Sequence, residues 1–290
     1  MSTLSDKFNR ALSRSMAGKE FENRAELQAF LNQFIGRNID DLVASQELSP
    51  ADQAMERVDL AMEAESEAEA LGHLREALRL DPKCCEARIH LAQWESRSDT
   101  ELLRRLEEAI SDEKERLGPD CFKENKGHFW GMHETRPYMR ACLDRALALM
   151  VAGRLDEAQK ALRDLILLNR HDNQGVRMIL GPLCLRRGDL KAYRALRNKF
   201  KGVPDLELLW GDVLEAFLLG DLEAAGARRR AAREENGYLE AYLRGHRNLP
   251  KRRPGSYTWK NPEHAVSAAV HLVPAWAAHP QAVAWLNRAK

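Results

Sequence analysis

The chain has 290 residues, with 45 Lys and Arg against 44 Asp and Glu, and no uncharged apolar run of eighteen residues. That length suits one elongated domain or two compact ones, and the missing run argues against a membrane-spanning helix. The near-neutral balance hides an asymmetry: residues 1–125 carry 17 Lys/Arg against 27 Asp/Glu, whereas residues 126–290 carry 28 against 17. The basic half could attract an acidic protein, a nucleic acid or an anionic surface, or could simply be a solvated helical surface.

The N-terminal MSTLSDKFNRALSRSM lacks the apolar stretch of a secretory leader, and the five cysteines (Cys84, Cys85, Cys121, Cys142, Cys184) form no C-x-x-C pair. Both features predict a soluble, cytoplasmic protein with reduced thiols. Residues 1–50 read as an N-terminal helical extension or cap, with helix expected over Ala25–Phe34 and a short helical turn near Ile39–Ala44. From residue 51 a repeat takes over. Ala70, Leu74, Ala77 and Pro82 fit the second helix and terminator of a helix-turn-helix unit, and Leu102, Leu106 and Ala109 repeat the pattern. These form units 1 and 2, residues 51–117.

The register then breaks. Ala109 and its equivalent Leu165 are 56 positions apart, well over one period, and the excess falls in a turn-rich stretch that reads as an inserted loop, residues 118–136. Units 3 to 5 follow over residues 137–242, marked by Gly153, Gly188 and Gly220, each opening a Gly-x-Leu turn before an amphipathic helix. Period and pattern predict an all-α, tetratricopeptide-like solenoid of about five repeats with capping helices at both ends. Residues 243–262 form a basic loop, and 263–290 return to helix, with Trp276 and Trp285 expected to close the end of the stack.

The polar cluster GHFWGMHETRPYMR (127–140) ends the insertion and opens the first helix of unit 3. Thr135 is the expected N-cap and Pro137 suits the first turn. Arg136 and Arg140 share a face, with Asp144 placed to pair with Arg140. One repeat later, DNQGVR (172–177) opens the next first helix, with Asp172 as N-cap and Gly175 permitting close packing. Lateral stacking of repeats predicts one groove patch of Arg136, Tyr138, Arg140, Asn173, Gln174 and Arg177, suited to a carboxylate or phosphate. A salt-bridge network of these arginines with Glu134, Asp144 and Asp172 is the competing expectation. His128, Trp130 and Glu134 read as a possible lid from the insertion, or as aromatics tucked into a local core.

With GHFWG, ETRPYMRA, DNQGVR and the terminal AVAWL in this order, the chain resembles a group of uncharacterised bacterial tetratricopeptide-repeat proteins over most of residues 24–287. It departs from that group at Asn169-Arg170, where relatives favour Asn-Pro, and in the Tyr-poorer SYTWKNPEHAV. The resemblance implies the fold. The function expected from the residues is a non-catalytic interaction module binding a protein or peptide segment, with no cofactor and no metal. The alternative is nucleic-acid or anionic-surface binding, through Lys251, Arg252 and Arg253 beside Tyr257 and Trp259. A third reading is an enzyme using His128 and Glu134 as acid and base.

Overall fold

The computed structural model describes residues 4–44, 46–252 and 254–288. Arg253 of the expected basic patch lies outside them. Every regular element among the described residues is helical, and none of the helices is long and apolar enough to cross a membrane. The chain divides into two compact units, Met1–Ala152 and Gly153–Lys290.

The first unit contains α1 (Leu4–Met16), α2 (Arg24–Asn32), α3 (Ile39–Ala44), α4 (Pro50–Glu63), α5 (Glu67–Leu80), α6 (Cys85–Glu95), α7 (Asp99–Glu124) and α8 (Arg136–Val151). Local chemistry sets these boundaries. Ser49 and Asp52 form a reciprocal capping box at α4, and Ser66 and Ser98 accept the Glu69 and Glu101 amides at the starts of α5 and α7. Consecutive helices pack together from α4 through α8, and the alternate helices α4, α6 and α8 also touch in sequence. Small residues make this approach possible: Ala54, Ala61, Ala70, Ala77 and Ala87 surround Val58 and Leu74 in one core. A separate apolar cluster holds the N-terminal cap together, with Ala11, Phe34, Leu42 and Val43 buried against Phe8, Leu12 and Phe30.

Two differences from the sequence reading lie here. Residues 4–16 form a helix that was not expected, and the expected loop from 118 is helical as far as Glu124. Gly118 takes φ 72° and breaks the helix axis, after which Pro119 starts a further helical turn.

The second unit contains α9 (Leu155–Leu168), α10 (Val176–Arg186), α11 (Leu190–Lys199), α12 (Leu206–Leu218), α13 (Leu222–Glu235), α14 (Glu240–Leu243), α15 (Pro262–Ala277) and α16 (Pro280–Arg288). The Gly-x-Leu turns have a physical basis. Gly188 and Gly220 take φ 72° and 80°, the left-handed conformation that ends a helix. The following Asp189 and Asp221 accept the amides of Ala192 and Ala224, capping α11 and α13. At Gly153 the turn is the same, but Arg154 supplies no side-chain cap. Helix α15 lies against α10, α12, α14 and α16 and buries Ala265, Ala268, Ala269, Leu272, Ala275 and Trp276. Trp276 meets Trp210 edge-on at 6.1 Å, and Trp285 packs on Phe217 at 5.5 Å.

A close approach in this unit lies at Gly211. Tyr193 is fully buried, donates its hydroxyl to Leu208 O at 2.9 Å and Asp212 Oδ1 at 2.8 Å, and would stand 2.5 Å from a Cβ at position 211. Gly211→Ala is therefore expected to lower unfolding stability by about 1–3 kcal/mol. Gly72→Ala, in the middle of α5 with open space around it, should raise it by roughly 0.5–1 kcal/mol. Chemical denaturation of the two variants beside the parent checks both signs.

Candidate functional site

Arg136 and Arg140 lie one turn apart at the start of α8, and both point at one carboxylate. Arg136 Nη1 and Arg140 Nη1 donate to the two oxygens of Asp6 on α1, the second at 2.9 Å. Arg136 Nε also donates to Trp130 O at 2.9 Å, and the two guanidiniums lie 5.5 and 5.9 Å from the Trp130 ring centre. Arg140 places Nε and Nη2 each 2.5 Å from Glu86 Oε1 of α6. Asp6 is 4% exposed and Glu86 1%. Burial alone would raise the Asp6 carboxyl, yet the facing Arg140 and Arg136 hold it below its ordinary value.

The rest of the polar face of α1 meets α4. Arg10 pairs with Asp59, both buried. Arg14 Nη1 lies 2.8 Å from Asp52 Oδ1, and Lys7 Nζ lies 2.6 Å from Asp40 and 3.6 Å from Glu56. Asp52, Glu56 and Asp59 recur at helical spacing on α4 and form an acidic rail. Helix α1 thus bridges α4 and α8, acid against basic α8 and bases against acidic α4. A cavity of about 170 Å³ remains beneath it, lined among others by Arg10, Met55, Cys84, Glu113, Arg116 and Arg140. Burial pushes the Cys84 thiol up to about 12, so it stays protonated at neutral pH.

The insertion packs its aromatics inward. Phe129 is fully buried and lies 4.9 Å from Phe122 and 6.2 Å from Tyr138, which meets Phe122 edge-on at 5.1 Å. Thr135 occupies the N-cap position without capping, because its hydroxyl donates to Phe129 O and Met132 O and so ties the insertion's two short 3-10 turns together. Asp144 does not provide the Arg140 salt bridge, which goes to Asp6 and Glu86; burial pushes the Asp144 carboxyl up to about 6. His128 and Glu134 are both exposed, and Glu134 lies 3.3 Å from His133 Nε2.

The companion motif belongs to the second unit. Asp172, with φ 52°, accepts the amides of Val176 and Arg177 at 2.7 and 2.9 Å and so caps α10 from within the turn. Gly175 takes φ 70°, a backbone conformation that calls for glycine, and a Cβ there would also crowd Met178 Cε of the helix it opens. Arg177 uses all its nitrogens: Nε and Nη2 on Asp205 at 2.5 and 3.2 Å, and Nη1 on Asp172 at 3.0 Å. That fork fastens the start of α10 to the start of α12. Asn173 is exposed and Gln174 half-buried. Of the six expected patch residues, Arg136, Tyr138 and Arg140 therefore belong to one unit and Asn173, Gln174 and Arg177 to the other.

His264, which follows the basic loop, stacks on Tyr257 at 4.8 Å and meets a tilted Trp259 at 4.6 Å, and both of those rings remain about half exposed. Trp259 Nε1 donates to Glu235. Among the described residues, no group of three or more His, Cys, Asp or Glu side chains is placed to share a metal ion. No family model matches the chain, and no curated protein matches it either.

The sequence reading missed Asp6, Arg10, Glu86 and Asp59, whose partners lie in other helices. The one available signal was the stripe Phe8, Ala11, Leu12, which marks residues 4–16 as an amphipathic helix. It also missed Glu207, buried on α12, where desolvation and the nearby Asp205 push its carboxyl up to about 7.

Because the folded value is raised, the folded state keeps its proton where the unfolded chain ionises. Stability should therefore fall as pH rises from about 4.5 to 7 and then level off. Glu207→Gln is expected to stabilise the protein at pH 8, by up to about 3 kcal/mol, and to change little at pH 4.5. Thermal melts of both forms across that range check this, and parallel curves for the two would contradict it.

Proposed function

We propose that this protein is a non-catalytic interaction module of the cytoplasm. In this reading the chain is a tetratricopeptide-like stack of about five repeats, with α4–α5, α6–α7, α10–α11 and α12–α13 as hairpins within it, flanked by helical caps. The first helices form the recognition face, which takes a protein or peptide segment presenting a carboxylate to Arg136 and Arg140. Arg177 acts in the same reading as a joint between first helices, with Asn173 exposed beside it.

One observation carries this reading. The Asp6 carboxylate sits between Arg136 and Arg140, and its helix is held by ion pairs to α4 and α8. A helix laid on the first-helix surface and recognised through its charges is what a helix-in-groove module offers its ligand. Two guanidiniums converging on one carboxylate also give that recognition direction as well as strength.

The test is site-specific photo-cross-linking in cells of the native host. A photoreactive residue at exposed Ala51, beside the cavity, is expected to capture a protein partner, whereas one at Leu167, exposed on α9, is not. Equal capture at both positions, or capture at Leu167 alone, would contradict a recognition face on α4, α6 and α8.

A further inference from the structure

The N-terminal cap has a core of its own, and what joins α1 to α4 and α8 is charge. Apolar Ala11, Phe8 and Leu12 face Phe30, Phe34, Leu42 and Val43 within the cap. The opposite side of α1 carries Asp6, Lys7, Arg10 and Arg14, each in an ion pair with α3, α4 or α8. Among the described side chains of α1 the buried ones are Asp6, Arg10 and Ala11, and of these only Ala11 is apolar. The partly exposed pairs from Lys7 and Arg14 are weakened by salt, the buried Asp6 and Arg10 pairs much less so, and opening the buried ones leaves desolvated charges that demand a replacement of the same sign. Helix α15 is the internal contrast within its own unit, since it is seated by a row of buried Ala, Leu and Trp side chains against α10 and α12.

We propose that α1 is a displaceable occupant of the surface formed by α4, α6 and α8, and that the partner is an amphipathic helix of the same charge order. The inference rests on the module reading above and specifies its ligand. The surface dictates the pattern. A carboxylate enters between Arg136 and Arg140, and cations one and two turns further on meet Asp59 and then Asp52 and Glu56, as Arg10 and Arg14 do. An all-acidic segment would satisfy the arginines but would be repelled by the α4 rail. An all-basic one, such as a nucleic-acid-binding tail, would meet the reverse problem at α8. The partner is thus a helix with mixed, ordered charge. The chain's own copy, tethered next to its site, competes at the millimolar effective concentration of a short linker.

The probe is a dye-labelled peptide of residues 1–20 of this chain, titrated against full-length protein by fluorescence anisotropy. Three full-length forms are compared: the parent, Arg10→Glu/Arg14→Glu, in which α1 is repelled from α4, and the milder Arg14→Glu. The peptide should bind the double variant at least about tenfold more tightly than the parent, and Arg14→Glu should shift binding the same way by less. Binding should weaken as salt is raised, through the partly exposed Arg14 and Lys7 pairs, and a peptide carrying Asp6→Arg should not bind. Equal affinity for all three forms, or no binding to a folded Arg14→Glu protein and a folded double variant, overturns the proposal. Should the double variant fail to fold, Arg14→Glu alone decides. If the peptide fails while cross-linking at Ala51 still captures a partner, the charge pattern is wrong and the module reading stands. If both fail, both fall.

Discussion

A single buried carboxylate organises the polar centre of the first unit. Asp6 is reached by two guanidiniums, and one of these is shared with the almost fully buried Glu86. Two carboxylates and two guanidiniums balance, which is why such a cluster is tolerated out of water. Removing one member strands the others, whereas exchanging Asp6 for an equivalent carboxylate costs little. Asp6 thereby ties α1 to the start of α8, with Trp130 lying against both arginines.

Charge and apolar packing divide the labour in this protein. The helices from α4 to α8 are joined by small and branched apolar residues, and the cap is joined internally in the same way. Between cap and body, ion pairs to α4 and α8 stand beside a contact of Ser13 Oγ with His133 Nδ1 at 3.4 Å. Apolar burial is non-directional and hard to exchange, whereas ion pairs carry order and sign and respond to salt. In the second unit an arginine fork also joins helices, but Arg177 binds Asp172 and Asp205 from the very segments that open α10 and α12. It therefore acts as a fastening between neighbouring helices and not as a hold on a separate element.

Much of the helical framework was legible because its signals are local. Gly188-Asp189 and Gly220-Asp221 announce a helix end and the next N-cap, and Ser49, Ser66 and Ser98 mark starts. The polar cluster near residue 136 was legible as a place of interest, but its partners were not. Asp6 lies 130 residues from Arg136 in the chain, and charge complementarity at that separation has no periodicity to betray it. The nearer candidates, Asp144 and Thr135, fit sequence spacing but are overruled by tertiary contacts: Arg140 turns to Glu86 and Asp6, and Thr135 turns back into the insertion. Glu207 was invisible for a related reason. As one of three carboxylates on an otherwise apolar helix, it looks like a surface residue until its neighbours bury it.

Hydrogen–deuterium exchange resolved by peptide and measured at two salt concentrations tests the ionic seating of α1 most directly, because local opening and global unfolding are read in the same sample. If charge holds the cap to the body, amides of α1 exchange much faster than those of α15, and raising salt accelerates α1 while leaving α15 nearly unchanged. Equal, salt-independent protection of α1 and α15 would show that α1 is a permanent part of the core, and would contradict a displaceable occupant on the first-helix surface.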